Sequence, residues 1–189
     1  MSDDADPRFL RSREAILNAA RDLLLAHGPT AVTHNRIAEH SGIGRATVYR
    51  HWPRTDQLLA EAMSTVPMPF FGEPSSPFRD WLVRELAEVA RQLEHDDVRA
   101  VATTLASTAL WDSAMAARRA GFAAVLSERL ATALELAEHQ KELSLRADAS
   151  LVAALTIGPL YYRATIEGAP ADTDLIEHCV ESVGTWTSP

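Results

Sequence analysis

The chain has 189 residues, enough for one large domain or a small module joined to a medium one, and its 47% apolar content supports a buried core and argues against a disordered polymer. The single cysteine, Cys179, rules out a disulfide framework within the chain and suits a reducing compartment. The net charge of -8 argues at first against nucleic acid as a partner.

The distribution of charge changes that reading. Residues 8–54 hold eight Arg against three acids (Glu14, Asp22 and Glu39), so a basic head precedes an acidic body, and fields act locally at cellular salt. The opening Met1-Ser2-Asp3-Asp4 lacks the basic and apolar stretches of a secretory signal, and no apolar run approaches the ~20 residues of a membrane helix. The expectation is a cytoplasmic protein with no membrane contact. Ala, Leu, Arg and Glu dominate and strict apolar–polar alternation is absent, which predicts an all-α fold of about nine helices with no strands.

Taken in chain order, residues 1–8 look like a flexible tail. A first helix is expected from about Phe9 to Ala26, with Ile16, Ala19, Ala20, Leu23 and Leu24 at helical spacing, and His27-Gly28-Pro29 stops it. Thr33 is a candidate N-cap for a second helix through about His40. Ser41-Gly42-Ile43-Gly44 makes a tight turn, and a third helix covers about Arg45 to His51, ending before Pro53. A fourth, connecting helix occupies 55–66. The stretch 67–77, with four Pro and one Gly, is the candidate linker to a body at 78–189. Long helices are expected there at about 78–95, 98–110, 113–140, 148–167 and 173–187, with Leu143-Ser144 in a loop and a kink at Gly158-Pro159.

The segment 33–52 carries the functional information. Two short helices that meet at a large angle across a few residues need a small residue at the crossing (Ala38), a left-handed turn residue (Gly42) and a small core beneath (Ile37, Ile43, Val48, Trp52). The second helix then presents Arg45, Ala46, Tyr49 and Arg50 outward. A helix fits the major groove, Arg can bond two guanine acceptors at once, and Tyr, Thr and His can donate to phosphates. Thr33, His34 and Asn35 stand at the start of the other helix, where free N–H groups favour a phosphate. The alternative is an ordinary three-helix packing unit with an Arg-rich solvated face.

Residues 15–63, above all Arg36-Ile-Ala-Glu-His-Ser-Gly-Ile-Gly-Arg-Ala-Thr-Val-Tyr-Arg-His-Trp-Pro53, resemble the DNA-binding domain of TetR-family regulators. The resemblance implies a three-helix helix-turn-helix domain at 9–54 followed by a helical ligand-binding and dimerisation domain. It implies base-reading roles at Asn35, Arg45, Ala46, Tyr49 and Arg50, and phosphate contacts at Thr33, His34, Thr47, Tyr49 and His51. The family commonly has Lys at the start of the fourth helix. This sequence has Thr55 there, preceded by Arg54, so a guanidinium or a hydroxyl would take that contact.

Arg118-Arg119, Glu142-Leu143, Gly158-Pro-Leu-Tyr-Tyr-Arg163 and Gly168-Ala-Pro170 resemble one branch of the family's C-terminal domains. That resemblance implies a homodimer built from the last two long helices. Carried to this chain, they are about 148–167 and 172–187, with Leu151, Leu155, Leu160, Ile176, Cys179, Val180 and Val183 at the interface. A twofold protein also suits a palindromic operator in double-stranded DNA. Trp81, Leu105, Thr108, Trp111, Met115, Phe122, Leu126, Tyr161 and Tyr162 are the residues expected to line a pocket for a small, mostly apolar effector, although the same residue types fill cores. The seven scattered His, one Cys and absence of an HExxH or GxSxG motif give no metal, cofactor or catalytic signature. Two rivals remain at this point: a small helical enzyme using the C-terminal cavity, and an interaction module whose helix-turn-helix no longer binds DNA.

Overall fold

The computed structural model describes residues 7–66, 68 and 70–187, which divide into two compact units, Met1–Pro67 and Met68–Pro189. The first unit comprises α1 (Pro7–His27), a 3-10 turn (Pro29–Ala31), α2 (His34–Ser41), α3 (Arg45–His51) and α4 (Thr55–Ser64). Helix α1 buries Ile16, Ala19, Ala20, Leu23 and Leu24 and begins at Pro7, so residues 7 and 8 are helical rather than part of a tail. The rest of the expected tail, 1–6, lies outside the described residues. Gly28 takes a positive φ of 77° and donates its N–H to the Leu24 carbonyl, which stops α1. Thr33 caps α2 by accepting from the Arg36 N–H, and Gly42 at φ 69° makes the left-handed corner into α3. Ile37, Val48 and Trp52 are buried together with Leu58, Leu59, Ala62 and Met63 of α4, whereas Ile43 is only half-buried at the edge.

The second unit comprises α5 (Phe78–Leu93), α6 (Asp96–Thr108), α7 (Ser113–His139), β1 (Leu143–Leu145), α8 (Ala149–Tyr162) with a π-helical extension (Arg163–Glu167), α9 (Thr173–Ser182) and β2 (Gly184–Trp186). Asp112, Asp148 and Asp172 cap α7, α8 and α9, each accepting backbone N–H bonds that a helix start leaves free. Helix α8 carries Pro159 without ending there, and the backbone widens into the π turn a few residues on.

Two expectations are corrected. Among the described residues the regular structure is helical apart from β1 and β2, which pair antiparallel through Leu143↔Trp186 and Leu145↔Gly184. The last stretch is therefore not helix to residue 187, and 143–145 is not loop. Thr185 and Trp186 favour extended backbone. At Gly184 a Cβ would stand 2.1 Å from the Ser144 carbonyl oxygen, so only Gly permits the close approach. The Trp186 indole donates to the Val180 carbonyl and ties the strand to α9.

The Pro-rich stretch is also more than a linker, because from Phe70 on it is packed on the second unit. Phe71 is buried, and its carbonyl accepts from the Arg129 guanidinium. The Gly72 N–H donates to Glu85. The Glu142 carboxylate accepts from the Ser76 hydroxyl and the Phe78 N–H, capping α5 from 64 residues away, and those two bonds lower its pKa.

Candidate nucleic-acid interface and effector unit

Helix α3 has seven residues, and its outward edge is set by the corner at Gly42. Arg45, Ala46, Tyr49 and Arg50 are exposed, while Val48 between them is fully buried, so one face anchors the helix and the other is presented. The Arg45 guanidinium lies over the Tyr49 ring, 5.4 Å from its centroid, and donates to its hydroxyl at 3.4 Å. Asn35, at the start of α2, is exposed as well. The helix therefore offers a guanidinium–phenol–guanidinium edge of the kind that bonds base edges and phosphates.

Among the expected phosphate contacts, Thr33 is exposed and Thr47 half-buried. Arg54 is exposed and pairs with Asp56 through two nitrogens, at 3.0 and 2.6 Å, which lowers the Asp56 pKa.

Three of the expected contacts are corrected. His34 is only 7% exposed. Its Nε2–H donates to the Trp52 carbonyl at 2.7 Å and its Nδ1 accepts from the Thr55 hydroxyl at 3.1 Å, so both ring nitrogens are used internally. Thr55 in turn commits its hydroxyl proton to His34. His51 turns toward α1: its Nε2 lies 2.8 Å from Ser12 Oγ, its ring contacts Phe9 at 4.2 Å, and its Nδ1 is buried without a partner. Burial, then the Arg50 and Arg13 charges, push the His51 pKa below its usual 6.5.

A cleft of about 530 Å³ beside α3, which sequence reasoning missed, is lined by Arg8 and Ser12 of α1 and by Gly44, Thr47 and Arg50. The signal was present in the excess of Arg over residues 8–54, but only the packing of α1 brings Arg8 to the same cleft as Arg50. Beneath the interface Trp52 is held from two sides, with its indole donating to Glu61 at 2.8 Å and the Arg13 guanidinium over its ring at 4.9 Å.

In the second unit an aromatic row runs from Trp81 to Phe71 (6.3 Å between centroids), and from Phe70 to Phe122 (5.4 Å) to Tyr161 (6.5 Å). Trp81 Nε1 and the Tyr161 hydroxyl are buried without a hydrogen-bond partner. Burial pushes the Tyr161 pKa upward. Leu105 of α6 and Met115 and Leu126 of α7 are buried, and the Thr108 hydroxyl donates to the Thr104 carbonyl.

Two residues expected to line a pocket do not do so. Trp111 is 89% exposed in the turn between α6 and α7. Tyr162 is one residue, and so ~100° of helix, past the inward Tyr161, which places it on the outer face of α8. A separate cavity of about 290 Å³ is lined by Leu93, Arg99, Leu160, Ala164 and the loop at 168–171, and none of the expected pocket residues borders it.

The expected dimer residues divide in the same way. Leu151 and Leu155 are 53% and 61% exposed, in line with Tyr162 (55%) and Ile166 (70%) along one stripe of α8 and its extension. Leu160, Ile176, Cys179, Val180 and Val183 are buried inside the protomer, which leaves them little surface to offer a partner. Helix α9 is packed against both α5 and α8, which uses up its apolar face, and Arg79 of α5 holds Glu177 and Glu181 across it. Burial raises the Cys179 pKa. Among the described residues no group of three or more His, Cys, Asp or Glu is placed to hold a metal ion, and no helix is long and apolar enough to cross a membrane.

Comparison with known proteins agrees with this geometry. Residues 16–62 match the profile of "Bacterial regulatory proteins, tetR family", and residues 76–183 match "Tetracyclin repressor-like, C-terminal domain". The chain is 28% identical over 179 residues to the uncharacterized HTH-type transcriptional regulator YdeS of Bacillus subtilis, covering 92% of this chain and 88% of YdeS. It is 53% identical over 53 residues to the HTH-type transcriptional repressor LfrR of Mycolicibacterium smegmatis, covering 28% and 27% of the two chains. Salmonella enterica GusR superimposes with a TM-score of 0.67 at 21% identity over 93% of this chain and 88% of GusR. A TetR family transcriptional regulator from Pseudomonas syringae pv. tomato does so at 0.61 and 20% identity, over 91% and 92%.

Proposed function

The chain belongs to the TetR family of DNA-binding transcriptional regulators, not enzymes, and from that premise we propose that it is a homodimeric, cytoplasmic repressor released from a palindromic operator by a small molecule. The observation that carries the DNA half is the exposed Arg45–Tyr49–Arg50 edge of α3 above a fully buried Val48. Asn35 and Ala46 complete the base-reading set, and Thr33, Thr47 and Arg54 take phosphates. Arg8, which lines the same cleft as Arg50, extends that backbone contact. The name of LfrR supports repression over activation.

The dimer is assigned to α8 with α7, in place of the α8 with α9 that the sequence suggests. Leu151, Leu155, Tyr162 and Ile166 form its apolar stripe, and a groove of about 500 Å³ is lined by the small residues Ala123, Ala124, Ser127, Ala131 and Ser150 together with Glu128, Thr132 and Glu135. Small residues let a partner helix approach closely. The effector is assigned to the aromatic row. Two buried donors without acceptors cost about 1–3 kcal/mol each, and a ligand that brings acceptors to Trp81 Nε1 or the Tyr161 hydroxyl offsets that cost. A ligand that binds better to a head spacing unable to span successive major grooves shifts the population off DNA.

The test is a gel shift with fragments of the source genome, where a palindromic site should be retained and released by a small apolar effector. If no duplex is bound even at low salt, the proposal is wrong.

A further inference from the structure

We propose that His34 is a positioning residue for operator recognition, fixing the Tyr49 phenol on α3 while touching no DNA itself. Tyr49 stands on the exposed edge of a seven-residue helix, where a side chain would ordinarily move between rotamers. Here its ring lies parallel to the His34 imidazole, with centroids 3.9 Å apart and planes 9° apart. The imidazole cannot turn, because its Nε2–H is committed to the Trp52 carbonyl and its Nδ1 to the Thr55 hydroxyl. Those bonds link three elements to one ring: α2, which carries His34; the Trp52 carbonyl at the end of α3; and the first residue of α4, Thr55.

The contact continues outward. Tyr49, held flat, offers its hydroxyl and its ring face to the Arg45 guanidinium. A chain Thr55–His34–Tyr49–Arg45 therefore runs from the inside of the unit to the groove-facing edge. A recognition side chain immobilised before binding loses less rotamer entropy when it meets DNA, and it presents its donor in one direction. Both consequences favour the correct base sequence over an arbitrary duplex, because an arbitrary duplex is held mainly by phosphate charge.

The test uses the full-length protein and an operator selected with it from a random duplex pool. His34→Ala should weaken operator binding roughly tenfold or more, while affinity for a random duplex stays within about twofold and its salt slope is unchanged. In a Tyr49→Ala background the same change should cost less than about twofold, since the residue it acts through is gone. His34→Phe, which keeps a ring beside Tyr49 but neither anchoring hydrogen bond, should restore only part of the discrimination. Should His34→Ala fail to fold, His34→Gln, which can still donate to the Trp52 carbonyl but has no ring to stack, carries the same expectations. Equal losses on operator and random duplex, or full additivity with Tyr49→Ala, would show that His34 only supports the fold and would overturn the proposal.

Discussion

Leu155→Ala and Val180→Ala together test whether α9 shares the dimer interface with α8, as the resemblance implies, or is confined to its own protomer. Leu155 is 61% exposed in the isolated protomer, so most of its side chain remains to be covered by a partner. Complete burial of a Leu side chain stabilises by about 1.5–3 kcal/mol, and the share still exposed here corresponds to about 1–2 kcal/mol. A twofold interface loses that amount on both sides, about 2–4 kcal/mol, or roughly 30- to 700-fold in the dimer dissociation constant. Sedimentation equilibrium over a dilution series measures the constant directly. Val180→Ala is the control. Val180 is fully buried under α5 and α8, so truncating it should lower the melting temperature and leave the dimer constant of the folded protein unchanged. If Leu155→Ala dimerises like the parent while Val180→Ala dissociates, the interface lies on α9 and the reasoning from exposure is refuted.

Arg45→Ala and Arg50→Ala should each cost about 1–3 kcal/mol of operator binding and relax base preference at one position, measured by binding to a library of operator variants. Arg54→Ala should instead weaken all duplexes alike and reduce the salt slope by about one, which a salt titration of binding reads out. Because burial holds the His51 pKa below 6.5, the unfolded chain takes up this proton first as pH falls. The His51 contribution to stability is therefore complete above pH 6.5 and declines below it, and the melting temperature should fall less on acidification in His51→Gln than in the parent. Gly184→Ala forces a Cβ against the Ser144 carbonyl, which is backbone and cannot swing away, and chemical denaturation should show a loss of about 1–3 kcal/mol or more.

The first unit was legible because its constraints are local. The Gly28 stop, the Thr33 cap and the Gly42 corner each depend on residues within a few positions, and the five apolar positions of α1 are the five it buries. The fates of His34 and His51 were not legible. Both are polar residues at helix ends, where solvent exposure is the ordinary outcome, and only Trp52, Thr55 and Ser12, brought close by folding, withdraw them. The second unit failed in a different way. Helix α9 carries a good apolar stripe, and a stripe states only that something covers it. Whether α5 or a second protomer does so depends on contacts such as Arg79 with Glu177 and Glu181, about 100 residues apart, which no periodicity encodes. In α8 the opposite holds, because it is apolar on nearly every side, so the sequence could not distinguish inward Leu160 from outward Leu155.

That all-round apolarity is itself informative. A helix buried within one protomer needs a single apolar stripe, and a helix apolar all round must be covered all round. Val152, Thr156 and Leu160 of α8 face its own unit, while Leu151, Leu155, Tyr162 and Ile166 face outward along about four turns of α8 and its extension. Scattered exposed Leu residues are ordinary on protein surfaces, but four large apolar side chains aligned at helical spacing are not. For the proposed dimer, the signal in the sequence is the mean composition of α8 rather than any stripe on α9. A charge placed in the middle of that row, as in Leu155→Glu, should abolish the dimer with little cost to the protomer. Light scattering from a monodisperse, folded monomer of this variant would bear that out, and a stable dimer of it would contradict it.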